Sequence, residues 1–122
     1  MKIRIKGNSI RYRLSKSEVE EFKHEKYVEE FTDFGNSIFC YVLKVVQNQP
    51  NLCAFFKDDT MTFGVPAHIA KEWTETDIVG FQYEFPLQNG SKLFLLLEKD
   101  FVCLDNTFED QSDNYPNPNE KC

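Results

Sequence analysis

The sequence predicts an α+β domain built on a strongly curved, mainly antiparallel sheet, or on a partly closed β-barrel, with two short helices. Aromatic residues make up 15% of the chain, and this composition favours strands. Turn residues separate several alternating segments, whereas only two short stretches have helical spacing. We expect a single domain over residues 1–104 and an acidic, poorly structured C-terminal tail over residues 105–122.

The first element is a basic hairpin with the sequence KIRIKGNSIRYRL, residues 2–14. Its apolar residues have odd numbers before Gly7-Asn8 and even numbers after it, so their parity changes there. A two-residue type II′ turn at Gly7-Asn8 brings both groups to one face of the hairpin. In that register apolar residues face each other (Ile5 with Ile10, Ile3 with Tyr12), and so do the cations (Lys2 with Arg13, Arg4 with Arg11). A single strand bent by a bulge at Gly7–Ser9 is the alternative interpretation.

The next elements are a capped helix and a second hairpin. Ser15 and Glu18 have the spacing of a capping box, which predicts a helix over about residues 16–25. Strands over 27–34 and 37–46 flank Gly35-Asn36. The tetrapeptide Gly-Asn-Ser-Ile begins at both Gly7 and Gly35, and we interpret this as reuse of favourable turn residues rather than as a duplication.

The second half of the chain repeats this alternation of strands and a helix. Strands are predicted over 52–56 and 60–65, followed by a helix that begins near Pro66 and packs Trp73 onto a sheet. A hairpin over 79–98 turns at Asn89-Gly90, a pair typical of type I′ turns. Leu93–Leu97 is apolar throughout, so this strand should be central and covered on both faces. The total is about eight strands.

Charge, cysteines and hydropathy exclude several classes. The net charge is −6, although the first sixteen residues contain six Lys or Arg and no acid. Overall acidity makes nucleic acid an unlikely partner, because such binding depends on neutralising phosphates. No apolar run suits a secretory signal or a membrane span, so we expect a cytoplasmic protein. The four Cys include no C-x-x-C pair, so we expect reduced thiols, no metal site and no cofactor.

The candidate site is an anion-binding face on the first hairpin, formed by Lys2, Arg4, Lys6, Arg11 and Arg13. It indicates a non-catalytic cytosolic binding domain whose basic hairpin engages an anionic partner or ligand, or the chain's own acidic tail. Helix acids such as Glu20 and Glu21 are alternative partners of these cations. Exposed ion pairs stabilise a fold little, so such pairing would mainly offset repulsion.

Two other functions remain open. Small barrels can point cations into a tunnel that holds polyphosphate, with carboxylates such as Glu84 and Glu98 binding Mg²⁺. Tunnel enzymes of that type, however, open with an E-x-E-x-K strand, and this strand reads K-x-R-x-K. His24 and His68 belong to no catalytic motif, so we expect no catalytic residues. The third function is a structural protein that self-associates through a strand edge. The expected oligomeric state is a monomer or a homodimer.

Both ends of the chain are similar to those of a group of small bacterial proteins of unknown function. The start, MKIRIKGNSIRYRLSKSEV, resembles the start of those proteins. The end resembles theirs through EKDFVCL at residues 98–104 and YPNP at residues 115–118. The resemblance implies that the basic start and the acidic end belong to one single-domain protein, and it implies no activity or cofactor.

Overall fold

Eight strands and two helices follow one another along residues 1–101, the part of the chain that this computed structural model describes. Residues 105–122, the expected acidic tail, and the domain boundary at residue 104 lie outside the described residues. The elements are β1 Lys2–Ile5, β2 Ser9–Leu14, α1 Lys16–Glu25, β3 Tyr27–Asp33, β4 Ile38–Val46, β5 Cys53–Lys57, β6 Thr60–Pro66, α2 Ala67–Glu75, β7 Gly80–Pro86 and β8 Lys92–Lys99.

The strands form two four-stranded mixed sheets. Sheet A has the order β1-β2-β8-β7, and sheet B has the order β3-β4-β6-β5. In each sheet two antiparallel hairpins join through a central parallel pair, β2 with β8 and β4 with β6. The α+β class with two short helices is therefore confirmed. The expected single sheet is corrected, because the described strands divide between two sheets that each keep their own edge strands, and these strands form no closed barrel.

The order of elements is the same in both halves of the chain. Residues 2–46 run β-β-α-β-β, and residues 53–99 run β-β-α-β-β again. These two segments are repeats of one unit, and each sheet takes one hairpin from each unit. If every strand is replaced by its equivalent in the other unit, the strand order of sheet A becomes that of sheet B. The two Gly-Asn-Ser-Ile turns lie in the first and second hairpins, which are not equivalent under this exchange. The tetrapeptide is therefore not a trace of the repeated unit.

The predicted register of the first hairpin is confirmed. Ile5 pairs with Ile10 and Arg4 with Arg11, as the parity change at the turn requires. Gly7 has a positive φ of 55°, which glycine adopts without a Cβ clash. The fourth hairpin differs from its prediction: Leu87 and Ser91 close a three-residue loop, and only Gly90 of the Asn-Gly pair has a positive φ. A type I′ turn would need a positive φ at both residues.

The apolar core lies between the facing sides of the two sheets. Tyr12 of sheet A is fully buried, its ring lies 4.8 Å from the Phe63 ring of sheet B, and its hydroxyl donates to the Met61 carbonyl oxygen at 3.1 Å. Strand alternation brings the buried apolar residues of each sheet to this side.

The two helices pack against each other through aromatic side chains. The rings of Phe22 in α1 and Trp73 in α2 are 6.1 Å apart, and the Trp73 indole nitrogen donates to the Val79 carbonyl oxygen at 2.9 Å. The capping box predicted for α1 is confirmed, since Ser15 and Glu18 exchange both hydrogen bonds. No helix within residues 1–101 is long and apolar enough to cross a membrane.

Strand β8 is central, as predicted, but only one of its faces is covered. It pairs with β2 on one side and with β7 on the other. Leu95 and Leu97 point into the core, whereas Phe94 on the opposite face is 52% exposed. The prediction from the continuous apolar run therefore overstated how much of β8 is buried. The Phe94 ring lies on the outer face of sheet A.

Candidate anion-binding face

The basic side chains of the first hairpin point away from the core. Arg4 pairs with Arg11 and Lys2 with Arg13, while the alternate residues Ile10, Tyr12 and Leu14 are buried. Because successive side chains of a strand point to opposite faces, the cations lie on the outer face of sheet A. We call Lys2, Arg4, Lys6, Arg11 and Arg13 the cationic face. These side chains do not line a tunnel between the sheets, where the space is filled by the core.

The parallel pairing of β2 with β8 decides what lies beside the cationic face. Arg13 is in register with Glu98, and Arg11 is in register with Leu96. Two residues further along, Ser9 is in register with Phe94. The outer face of sheet A therefore carries cations on β1 and β2, and it carries one carboxylate followed by two apolar side chains on β8.

Three of the five cations have carboxylate partners at one end of the face. The Glu98 carboxylate lies 3.3 Å from Arg11 Nε and 3.5 Å from Arg13 Nη2. The Asp100 carboxylate lies 3.1 Å from Lys2 Nζ and 4.0 Å from Arg13 Nη1. Exposed or half-exposed pairs of this kind contribute about 0–1 kcal/mol each. Their effect here is to offset the repulsion between cations that face each other across the hairpin.

The acids of α1, one of the two sets of partners expected for these cations, do not neutralise them, and the other set, on the acidic tail over 105–122, lies outside the described residues. Glu20 of α1 lies 3.5 Å from His24 Nε2 on its own helix. Within residues 1–101, neither Glu20 nor Glu21 comes within ion-pair distance of a cationic-face side chain. The expectation that helix acids cover the face is therefore wrong. Glu98 and Asp100 replace them because β8 lies beside β2.

Arg4 and Lys6 form the uncompensated end of the face. Both side chains are exposed, and no carboxylate among residues 1–101 lies within 4 Å of either. Arg11, between the two ends, has a buried Nε that makes no hydrogen bond within the described part of the chain, although Glu98 lies close to it. Among the cations of this face, Arg4 and Lys6 are therefore the least neutralised by the described residues, so an anion would be attracted most strongly near them.

Phe94 and Leu96 border this uncompensated end. Phe94 is 52% exposed and Leu96 is half-buried on the same outer face. The sequence identified the cations but not these apolar neighbours, because the run from Leu93 to Leu97 does not show which of its faces is open. Together, the cations and the apolar pair suit a ligand that carries negative charge beside apolar groups.

The carboxylates considered for a metal do not converge. Glu84 lies 3.3 Å from Lys92 Nζ, and Glu98 lies beside Arg11 and Arg13. No group of three or more His, Cys, Asp or Glu side chains that could hold a metal ion occurs among the described residues. Cys40 and Cys53 are free thiols, and burial raises the pKa of both.

A separate ionic cluster fixes the start of β1. The Met1 amino group contacts the carboxylates of Glu18 in α1 and Glu30 in β3, and the Tyr41 hydroxyl donates to the Met1 carbonyl oxygen at 3.2 Å. Burial alone would lower the pKa of the amino group, but the hydrogen bonds to both carboxylates raise it. This cluster attaches the cationic hairpin to α1 and to sheet B, so the face is held on rigid elements.

These features define an α+β domain in which two mixed sheets enclose an apolar core and one of them presents a cationic outer face. The chain belongs to a family of unknown function, DUF7009, whose family model matches residues 1–119. No curated protein and no solved structure matches the chain. The expected membership of an uncharacterised family is thereby confirmed.

Proposed function

We propose that this protein is a non-catalytic binding domain of the cytoplasm, and that its cationic face engages an anionic partner. The observation that carries the proposal is the position of Arg4 and Lys6. Arg4 lies on strand β1, and Lys6 lies in the turn that follows it. Both side chains are exposed, and neither has a carboxylate neighbour within residues 1–101. Pairing of β1 with β2 fixes the backbone that carries these cations, so only the side chains have to be ordered on binding.

An acidic polypeptide suits this face better than a nucleic acid. The net charge of −6 repels either polyanion at a distance, so the two ligands differ only within the Debye length of about 8 Å around the face. A peptide can place carboxylates on Arg4, Lys6 and Arg11 and apolar side chains on Phe94 and Leu96. Nucleic acid would use the cations but would also meet the carboxylates of Glu98 and Asp100.

The chain's own acidic C-terminal segment is the second candidate ligand. Residues 102–122 contain five Asp or Glu and one Lys. Asp100, just before this segment, lies within 4 Å of Lys2 and Arg13, so the chain reaches residue 101 at the edge of the cationic face. Intramolecular binding would benefit from a high effective concentration. The segment would then compete with external acidic ligands.

Neutralising the uncompensated end should weaken binding of an acidic polymer. We expect Arg4→Gln/Lys6→Gln to bind poly-L-glutamate on the order of fivefold or more weakly than the unmodified chain, as measured by titration calorimetry at low salt. The exchange Arg4→Lys/Lys6→Arg keeps both charges and should stay within about twofold. Lys23→Gln/Lys71→Gln, on the helices, changes the net charge equally and serves as the control. Equal losses in the control and test variants would contradict the proposal.

A second set of substitutions separates an external ligand from the chain's own tail. If the acidic segment occupies the face, Asp105→Asn/Glu109→Gln/Asp110→Asn/Asp113→Asn should bind poly-L-glutamate several-fold more tightly. Combining these changes with Arg4→Gln/Lys6→Gln should remove the gain. An unchanged affinity would leave an external acidic partner as the ligand of the face.

A further inference from the structure

The outer face of sheet B carries large exposed apolar side chains. Tyr27, Phe31, Ile38 and Phe55 are between 42% and 61% exposed. The register places them all on the side opposite the core, because the alternate residues Val28, Leu43 and Phe63 are buried. We call Tyr27, Phe31, Ile38 and Phe55 the aromatic face. Large exposed apolar side chains gathered on one sheet face can mark an interaction site.

The centre of the aromatic face is formed by the two middle strands β4 and β6, with Lys44 in register with Gly64. Val42 and Thr62 are in register on the two central strands, and both are buried between their neighbours. Gly64 follows on the same face of β6, where the Cys53 thiol fills the space that a Cβ would need. A sheet face with large exposed apolar side chains on both flanks can pack against another sheet face to face, about 10 Å apart.

The dimensions of this face approach those of a protein interface. Four strands about 4.8 Å apart, each about seven residues long at about 3.3 Å per residue, cover roughly 450 Å² in plan. Side-chain relief increases the accessible area beyond this value. A stable interface buries about 600–1,000 Å² on each partner. One such face can therefore supply most of a standard interface.

Charge on this surface is complementary to itself. Glu29 and Asp33 lie on edge strand β3, and Lys57 lies on the opposite edge strand β5, all on the outer side. Lys44 of β4 lies 5.9 Å from the centroid of the Phe55 ring on the same side. A two-fold axis parallel to the strands brings β3 of one copy over β5 of the other, so acids meet cations twice.

We propose that a second copy of this chain binds the aromatic face in that orientation. Glu29 is in register with Phe55 through β4 and β6, so the two residues lie in one row across the sheet. This row lies between the row of Tyr27 and the row of Phe31. The Phe55 ring of one copy then lies over Glu29 of the other, with Tyr27 and Phe31 on either side of it. Lys57 occupies the row of Phe31, so it lies between the partner's Glu29 and Asp33 rows. The interface is isologous, and each contact occurs twice.

Sedimentation equilibrium of the full chain tests this dimer. We expect twice the chain mass at micromolar concentration and a monomer for Phe31→Ser/Phe55→Ser, with an unchanged far-ultraviolet circular dichroism spectrum. Both rings are more than half exposed, so folding of the monomer does not depend on them. Phe94→Ser is the matched control, because it removes an equally exposed ring from sheet A and should leave the dimer intact.

Charge reversal tests the orientation. Lys57→Glu should weaken dimerisation on the order of tenfold, since each substitution acts at two symmetric sites, and Glu29→Lys/Lys57→Glu should recover most of the loss. A chain that stays monomeric up to about 200 µM would overturn the proposal, and so would a dimer that Phe94→Ser disrupts and Phe31→Ser/Phe55→Ser does not. None of these outcomes depends on whether the cationic face binds an anion.

Discussion

Replacing Trp73 by Ala should lower the free energy of unfolding by about 3–5 kcal/mol, the usual cost of removing a large buried aromatic side chain. Trp73 is fully buried, packs against Phe22 of the other helix, and donates its indole N–H to the Val79 carbonyl oxygen. Domains of this size are stable by about 5–15 kcal/mol, so the loss is a large fraction of the total stability. Urea denaturation followed by far-ultraviolet circular dichroism measures the change.

Two further variants separate volume from hydrogen bonding. Trp73→Phe keeps an aromatic ring but loses the bond to Val79, and we expect a cost of about 1–2 kcal/mol. A double-mutant cycle of Trp73→Ala with Phe22→Ala should give a coupling of about 0.5–1.5 kcal/mol. A loss below about 1 kcal/mol for Trp73→Ala would show that the two helices do not depend on this contact.

The repeated β-β-α-β-β unit explains why these contacts hold the domain together. Phe22 is the seventh residue of α1, and Trp73 is the seventh residue of α2. Tyr12 and Phe63 stand two residues before the last core residue of β2 and β6, and their rings are 4.8 Å apart. Equivalent positions of the two units thus meet at the centre. Since each sheet mixes hairpins of both units, neither unit can form a sheet by itself.

Local pairing in this fold could be predicted from the sequence. The parity change at Gly7-Asn8 gave the register of the first hairpin, and Ser15 with Glu18 gave the start of α1. Both signals act within a few residues, through side-chain alternation and backbone capping. For the same reason the five cations could be assigned to one face before their surroundings were known.

The parallel pairs could not be predicted, and they decide both the architecture and the site. The partners Arg13 and Glu98 are 85 residues apart along the chain. Parallel strands joined through a long connection leave no turn signal in the sequence. Without the pairing of β2 with β8, the sequence indicates one continuous sheet, and it offers the acidic tail and the acids of α1 as partners of the cations. The exposure of Phe94 depends on the same pairing.

Tyr12 joins the two sheets, and its removal should be nearly as costly as that of Trp73. Its ring is fully buried against Phe63, and its hydroxyl donates to the Met61 carbonyl oxygen across the core. We expect Tyr12→Ala to cost about 3–5 kcal/mol. Tyr12→Phe removes only the hydrogen bond and should cost about 0.5–1.5 kcal/mol at pH 7. Urea denaturation of both variants gives these values.

The same residue should make stability fall at alkaline pH. Burial raises the pKa of Tyr12 well above its ordinary value of 10.0, because the ionised phenolate would lie in the apolar core. Above pH 10 the unfolded chain therefore releases a proton that the folded chain retains. The stabilisation is complete below that pH and decreases as pH rises, by up to about 1.4 kcal/mol per pH unit.

Comparison with Tyr12→Phe isolates this contribution, since the other titrating groups are common to both proteins. Tyr27 is one of them, because its hydrogen bond to Glu29 raises its pKa to about 12. Between pH 10 and pH 11 the free energy of unfolding of Tyr12→Phe should fall less steeply than that of the unmodified chain. The two curves should therefore converge as pH rises. Parallel curves would mean that the Tyr12 hydroxyl reaches water in the folded protein, which contradicts its position between the sheets.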